Sequence, residues 1–132
     1  MYKRQKFHKE HQEWFEISWS LLDEVIKDYP NSHNTLNTAA WLGGRAKRKL
    51  EQSHQFIQRA LELRPHQGAY LDTQAEVFFA QKKRKQALEW SQKAVDSVLK
   101  GQGALYPSHY QSSIYMAREL EKQTRRFRNQ SF

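Results

Sequence analysis

The chain has no cysteine, which removes disulfide scaffolds, thiol chemistry and Cys-ligated zinc together. It has five glycines and three prolines in 132 residues, too few for a collagen-like or Pro-rich chain or for an all-β fold with many tight turns. No apolar run reaches the roughly 18 residues that a membrane-crossing helix needs. The first five residues carry positive charge without the apolar stretch of a secretory leader behind it. Acid is also short: 14 Asp and Glu stand against 22 Lys and Arg, a formal net charge of +8. That bias makes acidic proteins, anionic polymers and nucleic acid the partners to test. Apolar and aromatic residues are plentiful, at 38% hydrophobic with four Trp, six Tyr and seven Phe, enough for one core in a chain of one-domain length.

Met1-Tyr2-Lys3-Arg4-Gln5 reads like a transposase adaptor from a sequencing library, translated from a GTG start. Residues 1–6 are therefore expected to be a disordered scar and are set aside. On that reading the natural protein continues upstream, this is its C-terminal piece, and its compartment cannot be read from its first residues.

The rest of the chain repeats. Leu36-Asn37-Thr38-Ala39-Ala40-Trp41-Leu42 aligns with Leu71-Asp72-Thr73-Gln74-Ala75-Glu76-Val77 at an offset of 35, and Phe56 to Leu61 aligns with Trp90 to Val95 at 34. A partial upstream copy places Leu21 to Ile26 before Pro30 as Phe56 to Leu61 stands before Pro65. Small residues recur in register at Ser18, Ser53 and Ala87, where two helices could approach closely. Leu50, Ser53, Ile57, Ala60 and Leu61 form one helical stripe, repeated by Ala87, Trp90 or Ser91, Ala94, Val95 and Val98. Asn31 or Ser32 suits a helix start, Gly43 or Gly44 a helix end, and Pro65 and Gly101 follow two further ends. These signals predict helices over about 8–28, 33–43, 47–63, 67–81, 84–100 and 108–127. Antiparallel helix pairs with short connections, stacked side by side, make an all-α solenoid of about six helices.

The units resemble tetratricopeptide repeats, which run about 34 residues with small residues at fixed helix contacts and a closing proline. Ala40 and Ala75, Ser53 and Ala87, and Ala60 and Ala94 stand at the small positions, and Tyr70-Leu71-Asp72-Thr73 followed by Ala75 to Ala80 has a form often met in bacterial members. The intra-repeat turn of the second unit lacks the usual glycine. The resemblance implies a right-handed superhelix with repeats at 33–66 and 67–100. Before them, 7–32 is either the second helix of an upstream repeat or a native N-terminal cap. After them come a loop and solvating helix over 101–128 and a disordered tail at 129–132. On the cut-array reading, Trp14, Ile17, Leu21 and Val25 face absent upstream structure. The resemblance also implies a concave groove built by the first helix of each repeat. Its positions carry over to Asn34, Asn37, Thr38 and Trp41, and to Asp72, Thr73, Glu76, Phe79 and Ala80. The basic residues that clamp a peptide carboxylate in chaperone-binding relatives are missing; Asp72 and Glu76 hold two of those places and would repel it.

No catalytic constellation stands out. Gly43-Gly44-Arg45-Ala46-Lys47 lacks the spacing of a phosphate loop and follows a helix rather than a strand. His8 and His11 are three apart but have no partner of zinc-motif spacing, and the serines have no paired base. The chain is thus expected to be non-enzymatic, with no metal or cofactor. The charge pattern offers a second surface. Arg45, Lys47, Arg48 and Lys49 form one basic run and Lys82, Lys83, Arg84 and Lys85 another, both at turns that a solenoid aligns on one edge. Lys122, Arg125, Arg126 and Arg128 add a third, so three runs hold 12 of the 22 basic residues. The expected function is a scaffold that takes a protein or peptide in its groove, the partner including the upstream domain of the same chain. The alternatives are nucleic acid or another anionic polymer on the basic edge, and a regulatory appendage of an upstream enzyme domain.

Overall fold

The structure, a computed structural model, describes residues 2–100 and 110–132. Among them are six helices and no strand: α1 Tyr2–Asp28, α2 His33–Ala46, α3 Leu50–Leu63, α4 Gly68–Ala80, α5 Arg84–Leu99 and α6 Tyr110–Asn129. The loop expected from 101 lies outside the described residues. Helix α1 begins well before residue 8, because Lys3 to Glu10 contains good helix formers and neither glycine nor proline. Ser32 is the N-cap of α2, yet its hydroxyl meets Thr35 Oγ1 at 2.8 Å rather than a backbone N–H.

The two glycines do not end α2, contrary to the sequence expectation. The helix runs on to Ala46 and is closed by Lys47 in the left-handed conformation, whose N–H bonds the carbonyls of Gly43 and Gly44. Gly43 is there for proximity: a Cβ on it would sit 2.0 Å from Ser53 Oγ and 2.8 Å from the Arg48 carbonyl oxygen. At Gly44 the nearest atoms, on Glu76 and Val77, are 3.4 Å away, an ordinary contact. Neighbouring substitutions should therefore differ in sign. Gly43→Ala is expected to cost about 1–3 kcal/mol through overpacking. Gly44→Ala is expected to gain about 0.5–1 kcal/mol by stiffening a helical position. Urea titration of the two variants checks this; equal midpoints would deny the close approach of α2 and α3.

Each helix packs on the next in the chain, and α2 also packs on α4. The small residues Ala40, Ser53, Ala60, Ala75, Ala87 and Ala94 are all fully buried, which lets the backbones come close. Phe15, Trp19 and Ile26 of α1 join Leu36, Ile57, Tyr70 and Val77 in one cluster, with Trp19 stacked on Phe15 and Phe56 at 5.8 and 5.7 Å. Leu71, Val95, Val98 and Leu120 form a second cluster, and Ala75, Phe79, Ala87 and Phe127 a third. Of the two candidates for the inner position of α5, Ser91 takes it. Thr124 spends its proton on the Leu120 carbonyl, so Ser91 Oγ donates to Thr124 Oγ1 at 2.5 Å. Trp90 is left half-buried against Phe78.

Candidate functional site

The groove positions fall into two groups with different fates. On α2, Thr38 is exposed, its hydroxyl donating to the Asn34 carbonyl at 2.9 Å, and Trp41 is 47% exposed. Asn34 holds a structural contact: its Oδ1 accepts from the Tyr70 hydroxyl at 2.6 Å. That spends the phenol proton, so His33 Nδ1, 2.5 Å from the same oxygen, is the donor to it. Burial raises the Tyr70 pKa, with Arg64 pulling the other way. Asn37 is half-buried, and its Oδ1 has no hydrogen-bond partner among the described residues.

On α4 the positions are closed over. Phe79 is only 3% exposed, with its ring 5.1 Å from those of Phe127 and Phe132. Phe132 belongs to the stretch expected to be a disordered tail; its ring instead lies on Phe79, with the Arg84 guanidinium 4.7 Å above it. Thr73 is buried and donates to the Ala69 carbonyl. Glu76, also buried, binds Arg45 of α2 at 3.4 Å through Oε1 and Arg126 of α6 through Oε2. One carboxylate thereby ties three helices, and both its oxygens are satisfied, as a buried charge requires. Asp72 lies one turn away with its Oδ1 unpartnered among the described residues. Burial, and then the Glu76 charge, push its pKa up to about 7, against the pull of Arg126.

The basic edge separates in the same way. Arg45 is spent on Glu76, and Arg48 on Glu16 at 2.5 Å and on the face of Phe15. Arg84 donates to the carbonyls of Phe127 and Arg128 at 2.6 and 3.0 Å, and Lys83 lies over Phe78. Arg45 and Lys83 nonetheless stay exposed, and Lys47, Lys49, Lys82 and Lys85 are exposed without such a contact among the described residues. Three of these four, Lys47, Lys49 and Lys82, have φ values of 57°, 54° and 64°, a conformation that costs a side-chain-bearing residue about 1–2 kcal/mol. Lys82 stands in the turn where the second unit lacks its glycine.

Sequence reasoning missed the Glu76 hub, because Arg45 and Arg126 lie 31 and 50 residues from it. It also missed an open cavity of about 490 Å³ whose lining includes His54, Leu61, Gln74, Phe78 and Trp90. Burial and the Lys83 charge lower the His54 pKa there, and Gln74 Nε2 lies 3.2 Å from its Nδ1. Among the described residues no three His, Asp or Glu gather as a metal site, and no helix is long and apolar enough to cross a membrane. No protein family, curated protein or solved structure matches the chain.

Proposed function

We propose that the chain is a non-enzymatic interaction module: two tetratricopeptide-type helix pairs, α2–α3 and α4–α5, stacked as a solenoid that binds an extended peptide along α2. The observation that carries this reading is the state of α2. It packs on both α3 and α4 through fully buried small residues, yet leaves Trp41, Thr38 and the edge of Asn37 toward solvent. An exposed indole beside hydrogen-bonding amides is the make-up of a peptide anchor. The α4 half of the expected groove does not contribute, because α6 and the C-terminal residue cover it. Peptides selected from a random displayed library against the whole chain test the reading. Trp41→Ala is expected to weaken the selected binders at least tenfold with melting unchanged. Binders indifferent to Trp41 and Asn37 would sink it.

A second reading is supported by the exposed lysines of the two turns, since three of them, Lys47, Lys49 and Lys82, keep their charge in a strained left-handed backbone. Four phosphate contacts would give duplex-DNA binding a log–log salt slope of about −3.6. Reversing Lys47, Lys49, Lys82 and Lys85 to Glu would abolish that binding. Affinity that hardly changes from low to physiological salt would count against this edge.

A further inference from the structure

Helix α1 carries two apolar faces. Phe15, Trp19, Leu22 and Ile26 face the core. Trp14, Ile17, Leu21 and Val25 form the other, 69%, 54%, 59% and 41% exposed, and Tyr29 extends it past the helix end. At 100° per residue the two faces stand about 120° apart, so turning α1 cannot bury both against α2. Single surface hydrophobics need no explanation, but a continuous stripe about 22 Å long does.

The surroundings of the stripe indicate what covers it. Glu13 and Glu24 run along its edge away from the core face, and Glu10 and Asp28 stand in line with it at either end; all four are exposed. Residues 9–28 hold six carboxylates against two lysines, after Lys3, Arg4 and Lys6 at the start of the chain, whereas residues 29–132 hold 17 basic against 8 acidic side chains. Beside Ile17 opens a cavity of about 550 Å³, lined by Lys9, Gln12, Glu13, Glu16 and Arg48, wide enough for a partner's side chain.

We propose that this face seats an amphipathic helix of a partner protein, apolar on its docking side and edged with Lys and Arg. The stripe length suits about four turns of such a helix laid alongside. A second copy fits less well. Pairing α1 with α1 would set the four carboxylates that border the stripe, Glu10, Glu13, Glu24 and Asp28, against the same four, while Glu16 and Asp23 are paired with Arg48 and Lys27. The outer side of α6, with Tyr115, Arg118, Lys122 and Arg125 exposed, has the opposite charge but little apolar surface to bury the stripe. The inference goes beyond the α2 groove and uses none of its residues.

The test uses two synthetic helical peptides of about 18 residues with the same leucine face, one edged with Lys and Arg, the other with Glu. The basic-edged peptide is expected to bind the whole chain, more weakly as salt rises, and to shift the emission of Trp14, an effect lost in Trp14→Phe. Leu21→Asp should weaken binding at least tenfold at unchanged melting temperature, while Trp41→Ala leaves it intact. Glu13→Lys with Glu24→Lys should transfer the preference to the acidic-edged peptide. If Leu21→Asp disturbed folding, that exposed charge-reversed pair would carry the decision alone. The proposal is overturned if neither peptide binds, if both bind equally, or if the free protein sediments as a dimer that Leu21→Asp dissociates.

Discussion

Phe79→Ala is expected to cost about 3–5 kcal/mol of stability, and Trp41→Ala less than about 1 kcal/mol, although both aromatics were expected at groove positions. Phe79 sits beneath two other phenylalanine rings, and the guanidinium groups of Arg84 and Arg126 lie 5.8 and 5.7 Å from its centroid. Removing its ring leaves a cavity among Ala75, Ala87 and Phe127. It also removes the surface on which Phe132 and both arginines rest. Trp41 is almost half in water and loses little when truncated. Thermal melts of the two variants separate the roles, because a domain of this size shifts by about 3–4 °C per kcal/mol. A Phe79→Ala protein melting with the parent would mean that α6 does not seal α4, and the α4 positions would return to the candidate surface.

Asp72→Asn should raise stability above neutral pH, by up to about 4 kcal/mol if the whole shift is realised and on the order of 2 kcal/mol once the site relaxes. The Asp72 carboxyl ionises near its ordinary value of 3.8 in the unfolded chain and at about 7 in the folded one. Between these values the folded protein holds a proton that the unfolded chain has released. Stability therefore falls as pH rises from about 4 to about 7 and levels off above, where both forms are ionised. Asparagine keeps the shape of the neutral acid and has no charge to desolvate. The gap between variant and parent should thus be small at pH 4, widen toward pH 7 and stay constant beyond. A gap independent of pH would show that the Asp72 carboxylate is solvated in the folded protein.

Gly43 and Glu76 mark where sequence reading reaches its limit. A glycine that stops a helix and a glycine that admits a neighbouring backbone look the same in one dimension. Gly43 is the second kind only because Ser53 and the Arg48 carbonyl come back to it through the following turn. Glu76 was legible as an acidic groove position. What could not be read is that Arg45 and Arg126, drawn from two separate basic runs, converge on it and pair its charge, although the Arg45 side chain stays half-exposed. Asn34 behaves alike: its amide serves Tyr70, 36 residues away.

By itself the sequence determined that the described chain is helical, and where five of its helices run to within about three residues. Amphipathic period, chain breakers and small-residue spacing are local, and each helix needs only its own residues to be recognised. The order of burial also followed from pattern, with Ile57, Ala60, Ala94, Val95 and Val98 all inside as their stripes required. Tertiary structure alone decided which candidate residues face a partner. Phe79 and Trp41 are both aromatics at expected groove positions, yet α6 covers one and leaves the other open. The seven basic residues at the two turns other than Arg45 differ as little in sequence, but Arg48 and Arg84 are held by carboxylate, carbonyl and ring contacts, while Lys47, Lys49, Lys82, Lys83 and Lys85 stay in solvent. Such differences arise from long-range packing, whose partners are set by the path of the whole chain and not by the neighbours of any one residue.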